Sequence, residues 1–307
     1  MAPRHVGLAL LVVLIWGVNF VVIHEGLPGM PPLLFAAIRF AAVCLALPFV
    51  KRPAIRWRDL AAVGLLMSAG QFGFLYSALA AGLASGLASL VLQAQALFTV
   101  VIAALVLREK PRPVQVGGLV VALVGLVVVA LGRSGATPLT GLLLCLGAAA
   151  CWGAGNVAAR RCAGASGLGL TVWGSVFVPV PLLALSLLLD GPAAIGTALT
   201  HVGLAAVLST AYTVVLASLV GYTIWNGLLG RYPAASVAPF TLLVPVVGLF
   251  AGWLVLDERP VAASFVGGAL LLVGVAVVVV GPRVLAARTA RREKRERPIP
   301  VTGTVGG

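Results

Sequence analysis

Residues 84–132 read ASGLASLVLQAQALFTVVIAALVLREKPRPVQVGGLVVALVGLVVVALG, and residues 233–281 read PAASVAPFTLLVPVVGLFAGWLVLDERPVAASFVGGALLLVGVAVVVVG. A shift of 149 residues lays one on the other without a gap. Leu107, Glu109 and Pro111 then fall on Leu256, Glu258 and Pro260, and Gly118, Gly125 and Gly132 on Gly267, Gly274 and Gly281. Each copy is an apolar segment, a charged corner with proline, and a second apolar segment. Internal duplication in a hydrophobic chain marks many secondary transporters. The rest of the chain is what each copy carries ahead of this hairpin.

The chain is 61% hydrophobic and 9% charged, with a mean hydropathy of +1.13. A soluble domain is about 25% charged. This chain cannot cover its surface with polar groups, so lipid must be its solvent. Its net charge of +13 sits mostly in short loops and a tail, which speaks for membrane topology rather than nucleic-acid binding. Cys44, Cys145, Cys151 and Cys162 form no CxxC pair, so neither a metal site nor a disulfide framework is expected. Residues 7–23 resemble a signal peptide, but Trp16 and Asn19 interrupt the run and no A-x-A site follows. They read as a first membrane helix that is retained.

A spanning helix needs about 20 apolar residues. Ten segments qualify: 6–24, 33–50, 59–80, 87–107, 114–132, 139–159, 169–189, 203–228, 237–256 and 263–281. With a cytoplasmic N-terminus, one face holds Arg4, Lys51, Arg52, Arg56, Arg58, Arg108, Lys110, Arg112, Arg160, Arg161, Arg231 and the tail. The other holds Arg133 and Arg259. That asymmetry places both termini inside. Five helices per copy is an odd number, so the second copy enters from the opposite face. The predicted fold is all-α, ten transmembrane helices as a 5+5 inverted repeat. Residues 1–133 are the first repeat, 134–282 the second, and 283–307 a basic, disordered tail. The glycine trios line one face each, for helix packing or contact between subunits of a homodimer.

The five-plus-five plan resembles the EamA branch of the drug/metabolite transporter superfamily. So do Trp16-Gly17-Val18-Asn19-Phe20 and the passage from Met30-Pro31-Pro32 to Ile38-Arg39-Phe40. Gly86 to Gln95, and Ala238-Pro239 through Leu243-Val244-Pro245-Val246-Val247-Gly248, are similar to the amino-acid-metabolite exporters of that branch, the O-acetylserine and cysteine type. The resemblance covers about residues 6–281. It implies a bacterial inner-membrane efflux carrier, with the fourth segment in a central cavity.

Polar residues at membrane depth are the candidates for the pathway. Arg39 stands six residues inside its segment, where a charge is costly. It either grips a substrate carboxylate in a fork of hydrogen bonds, or it snorkels outward or pairs with Glu25 at the same outer level. Trp16 with Asn19, and Trp152 with Asn156, share helix faces and serve as helix glue or cavity lining. Gln93 and Gln95 are two apart and are expected to face different ways, one toward the cavity and one toward a neighbouring helix. Ser218, Tyr222 and Asn226 form a stripe with Trp225 beside it, reading as interfacial anchors or as a surface for an ammonium. Gln71, Tyr76 and Trp173 are weaker versions of the same case. Pro239 and Pro245 interrupt the ninth segment and are expected to hinge or gate it. Glu109 and Glu258 lie at corners, where pairing with adjacent Arg or Lys is expected.

No carboxylate falls in the middle of a segment, and no GxxxxGK[ST] loop is present. Neither a buried-carboxylate proton relay nor nucleotide-driven transport is therefore expected, and no cofactor is implied. The scattered Asp, Glu and His fit no membrane enzyme. The sequence predicts an exporter of small amino-acid-like metabolites working by alternating access in the lipid bilayer. The alternative is a carrier of the same fold for nucleosides, quaternary amines or drugs.

Overall fold

The computed structural model describes residues 2–108, 110–131, 138–162, 164–229, 231 and 238–296, the stretch from 285 onward by its backbone alone. Among the described residues every regular element is helical. α1 (Pro3–Gly26) and α2 (Pro32–Val43) both open on proline. Proline suits a first turn because its missing N–H would have no partner there. α2 tightens into a 3-10 stretch, Cys44–Phe49. α3 (Trp57–Ala80) runs through a π-helical stretch at Leu65–Gly70. α4 (Ser85–Val106) is interrupted by a 3-10 turn at Leu92–Ala94. α5 spans Pro113–Leu131 and α6 Leu139–Arg160.

α7 consists of Gly167–Phe177 and Pro179–Leu189, bent by 43°. Pro179 and Pro181 follow the break and remove backbone donors there. α8 (Gly191–Thr200) is a short helix that the sequence reading did not assign. Its ten residues reach only about 15 Å, too short to span a bilayer. α9 runs from Leu204–Ala211 through a π-helical stretch, Tyr212–Val220, to Gly221–Leu229. α10 is a 3-10 stretch, Ala238–Leu243, followed by Val244–Leu256. α11 runs from Ala262 to Glu296. Its backbone stays helical past Pro282, where a disordered tail is expected from the charge. The Ala-, Arg- and Glu-rich stretch beyond is a good helix former, and the Pro282 carbonyl accepts a hydrogen bond from Arg112 Nη1 at 3.0 Å.

Eight of these helices are long and apolar enough to cross a membrane, and the bent α7 would make nine. Val244–Leu256 is a shorter apolar helix. The chain is a multi-pass membrane protein. Its exposed surface carries large apolar side chains, such as Leu105, Leu131, Val180 and Leu188.

α5 and α11 form the most extensive helix pair. A Cβ on Gly125 would strike the Leu271 amide and the Gly267 carbonyl, and one on Gly274 would strike Ala122. The glycine stripes are thus used within one chain, where they let two backbones touch. Elsewhere α1 packs on α9 and α10, α6 on α3 and α4, and α2 on α7. At the two corresponding corners, Arg108 and Asp257 both take the left-handed conformation, with φ of 55° and 51°. Helix ends rich in Arg meet on one side of the bundle. There Arg231 Nη1 lies 3.3 Å from His5 Nε2, and Trp57 meets Trp173 at a tilt, with ring centroids 6.3 Å apart. This side is called the basic end below.

Candidate functional site

α1, α2, α3, α4, α6, α9 and α10 surround a cavity of about 240 Å³. Ten residues singled out from the sequence line it: Trp16, Asn19, Arg39, Gln71, Gln93, Gln95, Trp152, Asn156, Tyr222 and Trp225. Three elements place these groups through local irregularity. The π-helical stretch of α3 carries Met67 and ends at Gln71. The matching stretch of α9 carries Ala217 and Ser218. Such stretches widen a helix by a residue and recur at functional sites.

Arg39 is only 2% exposed, so it neither snorkels nor pairs with Glu25. Nη1 donates to Tyr76 Oη and Nη2 to Ser218 Oγ, each at 3.3 Å. The guanidinium lies 4.0 Å from the Phe72 ring centroid, a cation–π contact. Nε is buried with no hydrogen-bond partner. The partners are neutral, so a buried charge is held in place without being neutralised.

Trp16 donates from Nε1 to the Ala217 carbonyl at 3.0 Å. Its ring meets Tyr222 at 5.6 Å and Trp225 at 5.4 Å. These three form an aromatic corner in the wall. One turn along α1, Asn19 is buried, and its Oδ1 has no hydrogen-bond partner. Two cavity-lining residues, Arg39 and Asn19, therefore each keep a buried polar atom unpaired, one a donor and one an acceptor. Leaving such groups unpaired is costly unless something else fills the role.

Gln93 and Gln95 both line the cavity, contrary to the expectation that they face apart. The reason is the 3-10 turn between them. Its tighter winding brings residues two apart closer in azimuth than an α-helix would. Gln95 Oε1 accepts from Asn156 Nδ2 at 2.9 Å, and Thr99 Oγ1 accepts from the same nitrogen at 3.1 Å. Asn156 thus lines the cavity and ties α6 to α4 at once.

Residues 4–131 and 139–280 match the EamA-like transporter family. The chain belongs to that family. It is 41% identical over 283 residues to the "Probable amino-acid metabolite efflux pump" of Escherichia coli (strain K12), covering 90% of this chain and 95% of that one. It is 42% identical over 291 residues to the protein of the same name from Salmonella typhimurium, covering 92% and 97%. A "Probable terminal-alkyne amino-acid exporter" of Streptantibioticus cattleyicolor is 30% identical over 281 residues, covering 87% and 91%. A solved structure at 22% identity superposes with a TM-score of 0.60 over 93% of this chain and 99% of that one, which shows a shared fold. Relatives named as pumps and exporters point away from an enzyme.

Not every candidate joins the site of this EamA-like transporter. Tyr76 is fully buried behind the cavity and acts on it through Arg39. Trp173 lies at the basic end, donating to the Val50 carbonyl at 2.8 Å. Pro245 sits in the first turn of Val244–Leu256, where a missing N–H breaks no interior bond. Thr241 and Val244 line the cavity instead. The Pro239 and Asn226 side chains and Glu109 lie outside the described residues. Phe20, Met67, Phe72, Leu75 and Leu92 also line the cavity. In a chain this apolar, nothing in the sequence separates them from packing residues.

Glu258 does not pair with a neighbouring charge. Its Oε1 accepts from the Ser85 amide at 2.6 Å and its Oε2 from the Gly86 amide at 2.9 Å. The free N–H groups that open α4 draw a carboxylate more strongly than an exposed Arg does. Arg259 pairs with Asp257 at 3.4 Å, with both side chains about four-fifths exposed, an arrangement worth little.

Proposed function

We propose that this protein is a bacterial inner-membrane carrier that exports small amino-acid-like metabolites by alternating access. Its ten spans are two inverted five-helix repeats, residues 1–133 and 134–282, with both termini in the cytoplasm. The arginine asymmetry of the loops supports the orientation. The left-handed corners at Arg108 and Asp257 and the matched π-helical stretches of α3 and α9 support the repeat.

One observation carries the substrate class. A single buried cation, Arg39, faces a cavity whose described lining residues include no carboxylate. The cargo supplies the counter-ion. Its carboxylate takes the free edge of the guanidinium, and its ammonium donates to Asn19 Oδ1 and rests against Trp16, Tyr222 and Trp225. The names of the relatives at 41% and 42% identity agree with this chemistry. A lone cation such as a quaternary amine would meet Arg39 with no acid to offset it, so amine cargo is disfavoured.

Counterflow tests the reading. Proteoliposomes preloaded with cysteine or O-acetylserine should accumulate labelled cysteine. The Arg39→Ala protein should lose most of that uptake while remaining folded. Equal uptake by both would move the carboxylate grip away from Arg39. Uptake of a nucleoside or amine instead of either amino acid would overturn the substrate class.

A further inference from the structure

We propose that Glu258 positions the end of the pathway opposite the basic end, holding it shut in this conformation and releasing α4 before cargo leaves. The proposal rests on the alternating-access reading. On α6 and α9 the cavity comes close to the basic end, and on α2 and α4 it stops farther from the opposite one. Asn156 and Trp225 line it only four residues before Arg160 and Leu229 end their helices, roughly 6 Å by helical rise. Toward the other end, Arg39 and Leu92 are each seven residues in from Pro32 and Ser85, roughly 10 Å. What fills that distance along α4 is its contact with α10.

That contact is built close around the carboxylate. A Cβ on Gly86 would lie 2.9 Å from Leu249 Cα and 3.2 Å from Glu258 Oε2. A Cβ on Gly252 would strike Glu258 Oε2 directly. Two absent side chains therefore make the socket. Glu258 belongs to the second half and the two amides to the first, so the clamp joins parts that alternating access must separate. Asp257 and Arg259 beside it point at each other. Ser85 Oγ, in the same socket, is wholly buried and has no hydrogen-bond partner. Water admitted on opening would satisfy it, so the closed corner gives up some stability that opening returns.

Side-specific labelling tests this. The reporter is Leu92→Cys, in the cavity wall, expressed in cells and treated from outside with a membrane-impermeant maleimide. Labelling of the same protein without the reporter is subtracted. With Glu258 intact, the reporter should react slowly from outside and readily from the cytoplasmic side in inverted vesicles. Adding Glu258→Ala should raise the outside rate at least about tenfold, about 1.4 kcal/mol of population. Glu258→Gln, which keeps one acceptor oxygen, should fall between. Gly252→Ala, which expels the carboxylate without removing its charge, should match Glu258→Ala and guards against a folding defect in that variant. If Glu258 were a mere helix cap, its removal would lower thermal stability without raising the outside rate. If the reporter reacts only from the cytoplasmic side in all these proteins, the Glu258 assignment fails alone. If it reacts equally from both sides with Glu258 intact, that end is not held shut and the Glu258 assignment fails, whereas absence of cysteine counterflow by the same protein would sink the carrier reading itself.

Discussion

Replacing Arg39 by lysine keeps the charge and removes the fork. In the structure one guanidinium serves Tyr76 Oη and Ser218 Oγ at 3.3 Å each and lies 4.0 Å from the Phe72 centroid. It still has an unpaired Nε. A lysine ammonium is a point charge and cannot hold both hydroxyls while presenting two parallel donors to a carboxylate. The two hydroxyl bonds are long, so their loss should leave folding intact. The cargo, however, loses one charged hydrogen bond, worth about 1.5–3 kcal/mol. That converts to a rise of about 10- to 150-fold in the half-saturating cargo concentration. The maximal rate should stay within about threefold, because lysine still offsets the carboxylate as the cavity closes. The assay is the concentration dependence of cysteine counterflow in proteoliposomes, with thermal midpoints measured beside it. Half-saturation within twofold of wild type, at an unchanged midpoint, would show that a point charge suffices and refute the fork.

Two further substitutions probe the walls, each with an internal control. Gly221→Ala places a Cβ 2.6 Å from Trp16 Nε1, so it should dislodge the indole from the Ala217 carbonyl. Counterflow affinity should fall about tenfold, about 1.4 kcal/mol, with the fold intact, whereas Gly227→Ala, with nothing within 4 Å, should be neutral. Gly125→Ala drives a methyl group into the Leu271 amide and the Gly267 carbonyl. It should cost about 1–3 kcal/mol as overpacking, seen as a lower thermal midpoint in detergent. Gly117→Ala, with open space around it, should leave the midpoint unchanged.

The membrane class was legible because so few charges cannot cover a soluble surface. The hairpin of α4 and α5 and its copy were legible because they repeat without a gap. Much of the cavity's polar lining was legible as well, since an amide or guanidinium among apolar residues has to find protein or water. Three features were hidden for physical reasons. Gln93 and Gln95 reach one cavity only through a 3-10 turn, and pitch leaves no periodic trace over three residues. Glu258 seats on backbone amides far away in sequence, and backbone donors have no letter of their own. Phe72 and Met67 look like any lipid-facing residue until α3 winds them inward.

The two halves share a fold but divide the site unequally. Under the repeat register, Gln93 and Gln95 fall on Leu242 and Val244, which cannot hydrogen-bond through their side chains. The charge on Arg39 sits on α2, while α7, which packs against it, carries no charged residue. Under the proposed function, the first half would hold a carboxylate through Arg39, and the second would offer Tyr222 and Trp225, which line the same cavity, to the other end of the cargo. Trp16 straddles the division, rooted in α1 and hydrogen-bonded to Ala217 on α9. A zwitterion bound as proposed would therefore bridge the halves, whereas a bare carboxylate would engage only one. In the proposed cycle, symmetry of backbone would let the halves exchange positions, and asymmetry of side chains would make that exchange depend on a cargo with two unlike ends.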